Sequence, residues 1–170
     1  MNAAAGARCV TDIGWTDWEA VDRATLLFVV NGGRILLIRK KRGLGAGKIN
    51  APGGRLEAGE SWQQAAIREV EEEVCVVPGA VSEAGELRFQ FVDGYSIHVR
   101  VFRGEHYAGE PRETDEATPL WFPLDAIPYT EMWADDILWL PLLLQGKRFT
   151  GRFVFSGDAL LDHRLETIKE

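Results

Sequence analysis

From Ala24 onward, apolar residues fall into short blocks separated by turn-forming residues. Residues 25–30 and 34–40 are β-rich runs around Asn31-Gly32-Gly33, which tolerate positive φ, so the segment predicts a hairpin. Residues 43–54 read as a glycine-rich loop. Residues 61–74 predict a helix, with Ser61 as N-cap and acidic residues near its start. Two further runs, 87–92 and 95–102, flank the tight-turn dipeptide Asp93-Gly94. Residues 120–123 read as a short strand and 133–144 as a second helix. A terminal hairpin, 148–155 with 160–168, is expected across Ser156-Gly157-Asp158. Residues 1–22 are small-residue-rich and then irregular, an N-terminal extension whose large anchors are Trp15 and Trp18. Strands mixed with two separated helices predict one α/β domain over residues 23–170, a mixed β-sheet sandwiched between α-helices.

Composition narrows the classes. The chain has 170 residues, 46% hydrophobic and 26% charged, which suits one well-packed domain. Its densest apolar stretch, residues 137–144, is too short to span a bilayer and contains Pro141, so no membrane association is expected. The first twenty residues lack a basic region followed by an apolar one, so no secretory signal is read. Cys9 and Cys75 stand in unlike contexts, which argues for a reducing, cytoplasmic setting and against a disulfide framework. A net charge of -7 weighs against duplex nucleic acid but not against a phosphorylated small molecule, since a divalent metal can carry the needed positive charge. Arg39, Lys40, Lys41, Arg42 and Lys48 form the one basic concentration. They are either a solvated strand end and loop or a lip that receives phosphates.

Candidate chemistry lies on the first helix. Glu69, Glu72 and Glu73 are spaced i, i+3, i+4, which puts three carboxylates on one stripe, while Ile67, Val70 and Val74 face elsewhere. Three clustered like charges describe either a solvated acidic face or a site neutralised by a cation. With oxygen donors and no histidine or cysteine, that cation would be Mg²⁺ or Mn²⁺. His98, His106 and His163 are scattered and read as structural or surface residues.

The surroundings decide between the two. Gly54 is followed by five residues, then Glu60, then seven residues, then Arg68-Glu69-Val70-Glu71-Glu72-Glu73-Val74-Cys75-Val76. This string resembles the Nudix box of the Nudix hydrolase family, and so long a spaced match is specific. Cys75 stands where the family has glycine. A left-handed cap there makes a Cβ cost on the order of 1 kcal/mol without touching the chemistry. The resemblance implies the Nudix fold and metal-assisted cleavage of a phosphoanhydride. Glu69, Glu72, Glu73, the Gly53 carbonyl and a later-loop glutamate, for which Glu116 is the candidate, would hold the metal. Arg68 would orient the glutamates. Which carboxylate activates water stays open.

The resemblance extends over residues 24–166, to the branch of MutT homologues that hydrolyse oxidised purine nucleoside triphosphates. Residues 40–50, 121–128 and 132–144 carry it. It implies conversion of 8-oxo-dGTP and 2-hydroxy-dATP to monophosphate and pyrophosphate, sanitising the nucleotide pool, by a monomer acting on a small-molecule nucleotide. The implied substrate-binding set is Thr25, Lys40, Asn50, Pro52, Gly53, Gly54, Arg55, Phe89, Trp133, Ala134, Asp135 and Asp136. Taken alone, Asp135 and Asp136 read as acids favouring a helix N-terminus. In the resemblance they read the purine edge, one as a protonated donor and the other as acceptor, with Trp133 as stacking platform. Phe89, Phe91 and Ile97 would form apolar walls, though strand alternation makes them equally ordinary core residues. Leu44, Ile49 and Ala117 stand where relatives carry larger side chains. The alternatives are a Nudix hydrolase for a methylated or unmodified purine triphosphate, and a non-catalytic nucleotide-binding module.

Overall fold

The computed structural model describes residues 4–169. In chain order its elements are β1 (Asp22–Asn31), β2 (Arg34–Lys40), β3 (Ile49–Asn50), β4 (Gly53–Arg55), α1 (Trp62–Val74), β5 (Val77–Phe91), β6 (Ser96–Ala108), β7 (Ala117–Pro123), α2 (Asp136–Leu144), β8 (Arg148–Ser156) and β9 (Ala159–Ile168). Short 3₁₀ turns occur at Val10–Asp12 and Tyr129–Glu131. The strands pair antiparallel in β1/β2, β2/β7 and β8/β9 and parallel in β5/β8, so the sheet is mixed and the α/β expectation holds. The chain forms two compact units, Met1–Ala24 with Ala84–Arg100 and Ala134–Glu170, and Thr25–Glu83 with Val101–Trp133.

In the Thr25–Glu83/Val101–Trp133 unit, the first hairpin turns as its sequence demands: Gly32 and Gly33 have φ of 62° and 76°, and Asn31 faces Arg34. Ile38 of β2 is flanked by Asn50 and by Pro119. Helix α1 begins at a capping box. The Gln64 amide donates to Ser61 Oγ at 3.1 Å, and the Ser61 amide donates to Gln64 Oε1 at 2.9 Å. Its first turn carries no acid. Ala66, Val70 and Val74 pack with Leu27, Val29, Leu36, Ile38, Phe102 and Ala117, fixing the helix against the strands. Ala117, which stands where relatives carry a larger side chain, is a core residue.

In the other unit, Trp139 of α2 stacks on Phe149 at 5.5 Å, and Leu140 and Leu143 complete the buried face. The N-terminal segment belongs to this unit. Ala4, Val10 and Ile13 are buried with Val154, and Ala7, Trp15, Trp18 and Leu161 pack around them. Trp15 Nε1 donates to the Val10 carbonyl (3.0 Å), and Trp18 Nε1 donates to Gln90 Oε1 (2.8 Å).

Three expectations are corrected. The second helix starts at Asp136, three residues later than expected, because residues 134–135 form a turn ahead of it. The strands around Asp93-Gly94 run on to Val77 and Ala108. Pro78 and Gly79 look like loop punctuation, yet the strand continues through an irregularity at Ala80, whose φ is 51°. The glycine-rich segment contains the short strands β3 and β4.

Candidate metal and nucleotide site

Helix α1 and the loop before β7 bring three carboxylates together. Glu69, Glu73 and Glu116 offer oxygens that all lie within 4.8 Å of one another. Hydrogen bonds fix the loop: Thr114 Oγ1 donates to the Glu73 carbonyl (2.7 Å), the Glu116 amide donates to Thr114 Oγ1 (3.2 Å), and the Lys41 amide donates to the Glu116 carbonyl (3.0 Å). Arg42 adds an ion pair to Glu116 at 3.2 Å. Glu72 lies outside the triad; its half-exposed carboxylate accepts from Arg68 at 3.0 Å.

Electrostatics make the cluster unstable as three bare anions. Burial, then repulsion from Glu69 and Glu116, pushes Glu73 up to about 8, against a backbone hydrogen bond from Gly53 and the charge of Lys40. Burial also raises Glu69, against Arg68. Lys40 is lowered by burial, although Glu73 opposes this. Glu73 Oε2 is buried without a hydrogen-bond partner. An orphaned carboxylate oxygen beside two further carboxylates fits a hard divalent cation.

Glycine is needed at two positions for steric reasons. A Cβ on Gly53 would overlap the Thr25 carbonyl of β1, and one on Gly54 would sit 2.5 Å from Glu69 Oε2. Arg68 ties the helix to the preceding loop. Nε and Nη2 donate to the two oxygens of Glu60 (2.6 and 2.9 Å), Nη1 donates to Glu69 (2.9 Å), and Nη2 reaches the Arg55 carbonyl (3.2 Å). The Arg68 hydrogen bonds hold Glu60 down to about 2.

The expected nucleotide-binding residues divide between the units. In the unit that holds the carboxylates, Thr25 is buried and its hydroxyl donates to the Gly54 carbonyl at 3.5 Å. Lys40 Nζ donates to the Leu44 carbonyl (2.8 Å), Asn50 Oδ1 accepts from the Ala51 amide (2.8 Å), and the Pro52 carbonyl accepts from the Leu27 amide (3.0 Å). Trp133 belongs to this unit too. Two neighbours of its ring were not expected from sequence: Lys48 Nζ lies 5.2 Å from the ring centroid, and Gly45 abuts the indole edge. Both lie in segments noted for charge or glycine, but neither signal pointed to Trp133.

In the other unit, Phe89 stacks on Phe153 at 5.2 Å, and Ala134 is exposed. Asp135 and Asp136 are both 2% exposed. Asp135 sits at the N-cap position of α2 but makes no capping hydrogen bond; it accepts from Trp139 Nε1 at 2.7 Å. The helix-capping reading of Asp135 therefore fails. Burial raises its carboxyl above the usual range, with the Trp139 hydrogen bond opposing.

The chain is thus a mixed α/β protein whose carboxylate-bearing helix follows a glycine pair and could hold a divalent cation. The family model "NUDIX domain" matches residues 21–143, and the chain belongs to this family. It is 47% identical over 148 residues to the oxidized purine nucleoside triphosphate hydrolase of Danio rerio, covering 86% of this chain and 95% of that protein. It is 40% identical over 146 residues to the protein of the same name from Mus musculus, covering 85% and 94%. Among solved structures, a MutT protein from Bacillus halodurans is similar with a TM-score of 0.78 and 27% identity, covering 86% of this chain and 98% of that one. Among the described residues, no helix is long and apolar enough to cross a membrane.

Proposed function

We propose that the protein hydrolyses oxidised purine nucleoside triphosphates of the 8-oxo-dGTP and 2-hydroxy-dATP type. One water is consumed, and the products are the nucleoside monophosphate and pyrophosphate. The observation that carries this reading is the convergence of Glu69, Glu73 and Glu116 around a buried, unsatisfied carboxylate oxygen. The substrate class rests on the names of the Danio rerio and Mus musculus relatives.

Glu69, Glu73 and Glu116 would hold Mg²⁺, with Mn²⁺ as substitute, together with Glu72 and the Gly53 carbonyl from the same segment. When bound, the cation offsets phosphate charge and orients the water. Arg68 acts through others, since its ion pairs keep Glu60, Glu69 and Glu72 in place. Lys40 supplies positive charge beside the carboxylates, and β4 (Gly53, Gly54 and Arg55) with Pro52 before it would form the surface against which phosphates lie. Burial raises the Asp135 carboxyl toward the protonated form, and one member of the Asp135–Asp136 pair would donate to the purine edge while the other accepts. Thr25, Asn50, Phe89 and Ala134 would be further base-binding residues, with Trp133 as the stacking platform. Residues 23–170 make up the catalytic domain and 1–22 its extension. The protein works as a cytoplasmic monomer, which sedimentation and cell fractionation test.

The deciding experiment is pyrophosphate release from 8-oxo-dGTP, 2-hydroxy-dATP, dGTP, dATP and a methylated purine triphosphate in Mg²⁺. Oxidised purines should have the highest kcat/KM, and Glu73→Gln should abolish turnover. Equal rates for oxidised and unmodified purines overturn the substrate class. Turnover unaffected by Glu73→Gln overturns the catalytic assignment.

A further inference from the structure

Trp133 is held by a loop built for the purpose. Residues 43–47 carry three glycines at positive φ, Gly43 (81°), Gly45 (79°) and Gly47 (89°), which folds the loop back on itself. The Lys48 amide donates to the Gly45 carbonyl (2.9 Å), the Gly47 amide to the Lys40 carbonyl (2.7 Å), and the Lys40 amide to the Lys48 carbonyl (3.0 Å). Arg39 fastens this loop to the segment that carries the tryptophan. Its guanidinium donates to the Gly47 carbonyl at 2.9 Å and to Glu131, two residues before Trp133, also at 2.9 Å.

Two contacts then set the ring. A Cβ on Gly45 would lie 2.7 Å from Trp133 Nε1 and 3.2 Å from Cε2, so only glycine lets the loop close on that edge. Lys48 Nζ stands over one face at 5.2 Å from the centroid. The face of an aromatic ring is electron-rich, and a cation there is attracted to it. The same cation draws electron density toward its own side. The opposite face becomes poorer in electrons and stacks better on an electron-rich partner. An oxygen substituent conjugated with a purine ring makes the purine such a partner.

We infer that Lys48 and Gly45 are specificity-determining positioning residues. Gly45 fixes the indole edge, and Lys48 polarises the ring so that its other face favours oxygen-substituted purines. This rests on the reading of Trp133 as base platform and adds the source of its selectivity. Both residues act through the Trp133 ring, so the signature is expected in KM and in the ratio between substrates, with kcat unchanged.

The test is steady-state kinetics of Lys48→Met, Lys48→Arg, Gly45→Ala and Trp133→Ala on 8-oxo-dGTP and dGTP, with thermal melts to verify folding. Lys48→Met should raise KM for 8-oxo-dGTP about two- to tenfold, the range a cation–π contact supplies. It should raise KM for dGTP less, narrowing the preference, and Lys48→Arg should restore it. Gly45→Ala should raise both KM values at unchanged kcat. If Lys48→Met shifts both substrates equally, Lys48 attracts the triphosphate and the inference is overturned. If Trp133→Ala raises KM but Lys48→Met does not, the platform stands and this inference alone fails. If Trp133→Ala leaves KM unchanged, the platform reading itself fails.

Discussion

Cys75 closes α1 in a left-handed conformation (φ 64°, ψ 28°), with its amide donating to the Glu71 carbonyl. A side chain at this backbone position is strained, so Cys75→Gly should stabilise the protein by about 1 kcal/mol. Chemical denaturation reads the shift, and an unchanged midpoint would mean that the cap carries no strain. Gly54 poses the opposite case. A methyl group there would lie 2.5 Å from Glu69 Oε2 and 2.7 Å from Oε1, displacing the carboxylate from its partners. Gly54→Ala should therefore weaken divalent-cation affinity by about tenfold or more, as measured by calorimetric titration with Mn²⁺. Retained affinity would show that Glu69 can move without consequence. These two residues differ in legibility. The cap at Cys75 was readable because the resembled family has glycine there, just past a predicted helix, where a left-handed cap is common. The need for glycine at Gly53 and Gly54 was visible only as a motif, because its cause is contact with Thr25 and Glu69, which sequence spacing does not display.

At the scale of elements, helix periodicity explains both what was seen and what was missed on α1. Residues four apart are offset by about 40° and residues three apart by about 60° the other way. Glu69 and Glu73 thus turn inward toward Glu116, while Glu72 swings out to Arg68. A stripe of three glutamates could be read from sequence; its division into two converging carboxylates and one ion-pair partner could not. Strands β5 and β6 carry a different cluster that sequence did not reveal, since its members come together only by pairing. His98 Nε2 lies 2.6 Å from Glu86 Oε1, which also accepts from Arg88 at 2.6 Å, and the Trp18 ring meets the imidazole edge-on at 6.4 Å. Burial lowers the His98 pKa, outweighing Glu86, and Arg88 and Arg100 reinforce it. The folded state therefore disfavours protonation of this imidazole, while the unfolded chain protonates it near its ordinary value of about 6.5. The contribution is present above that pH and is lost as pH falls through the depressed folded value. Melting temperature from pH 7.5 to 5 should fall more steeply for the native protein than for His98→Gln. Parallel profiles would refute the assignment.

At the scale of the whole molecule, the family match begins at residue 21, yet the chain before it is built into a core. Sequence suggested docking through Trp15 and Trp18 but not its extent, because alanines and glycines hide the apolar contribution of Val10 and Ile13. Several bonds would be lost with this segment. The Val10 amide donates to Asp162 Oδ2 at 2.7 Å, the Gly6 amide donates to the Val92 carbonyl at 3.0 Å, and Arg152 stacks over Trp15 at 5.3 Å. Removing residues 1–18 would uncover Val154 and leave Gln90, fully buried, without the Trp18 donor. Reburying nothing in place of Val10, Ile13 and the tryptophan faces costs about 3–6 kcal/mol at ~2 kcal/mol per buried side chain. That is a large share of a typical domain's total stability. The truncated chain should melt roughly 6–24 °C lower, at about 2–4 °C per kcal/mol. The carboxylate cluster and Lys40 all lie within Thr25–Glu83 and Val101–Trp133, so kcat measured well below the new melting point should stay within about twofold of the full chain, a change of under 0.5 kcal/mol in barrier height. An unchanged melting temperature would show that the segment only rests on the surface. A lost kcat in a truncated protein that remains folded would instead give the segment a part in catalysis, which its contacts with Val154, Gln90 and Asp162 do not supply.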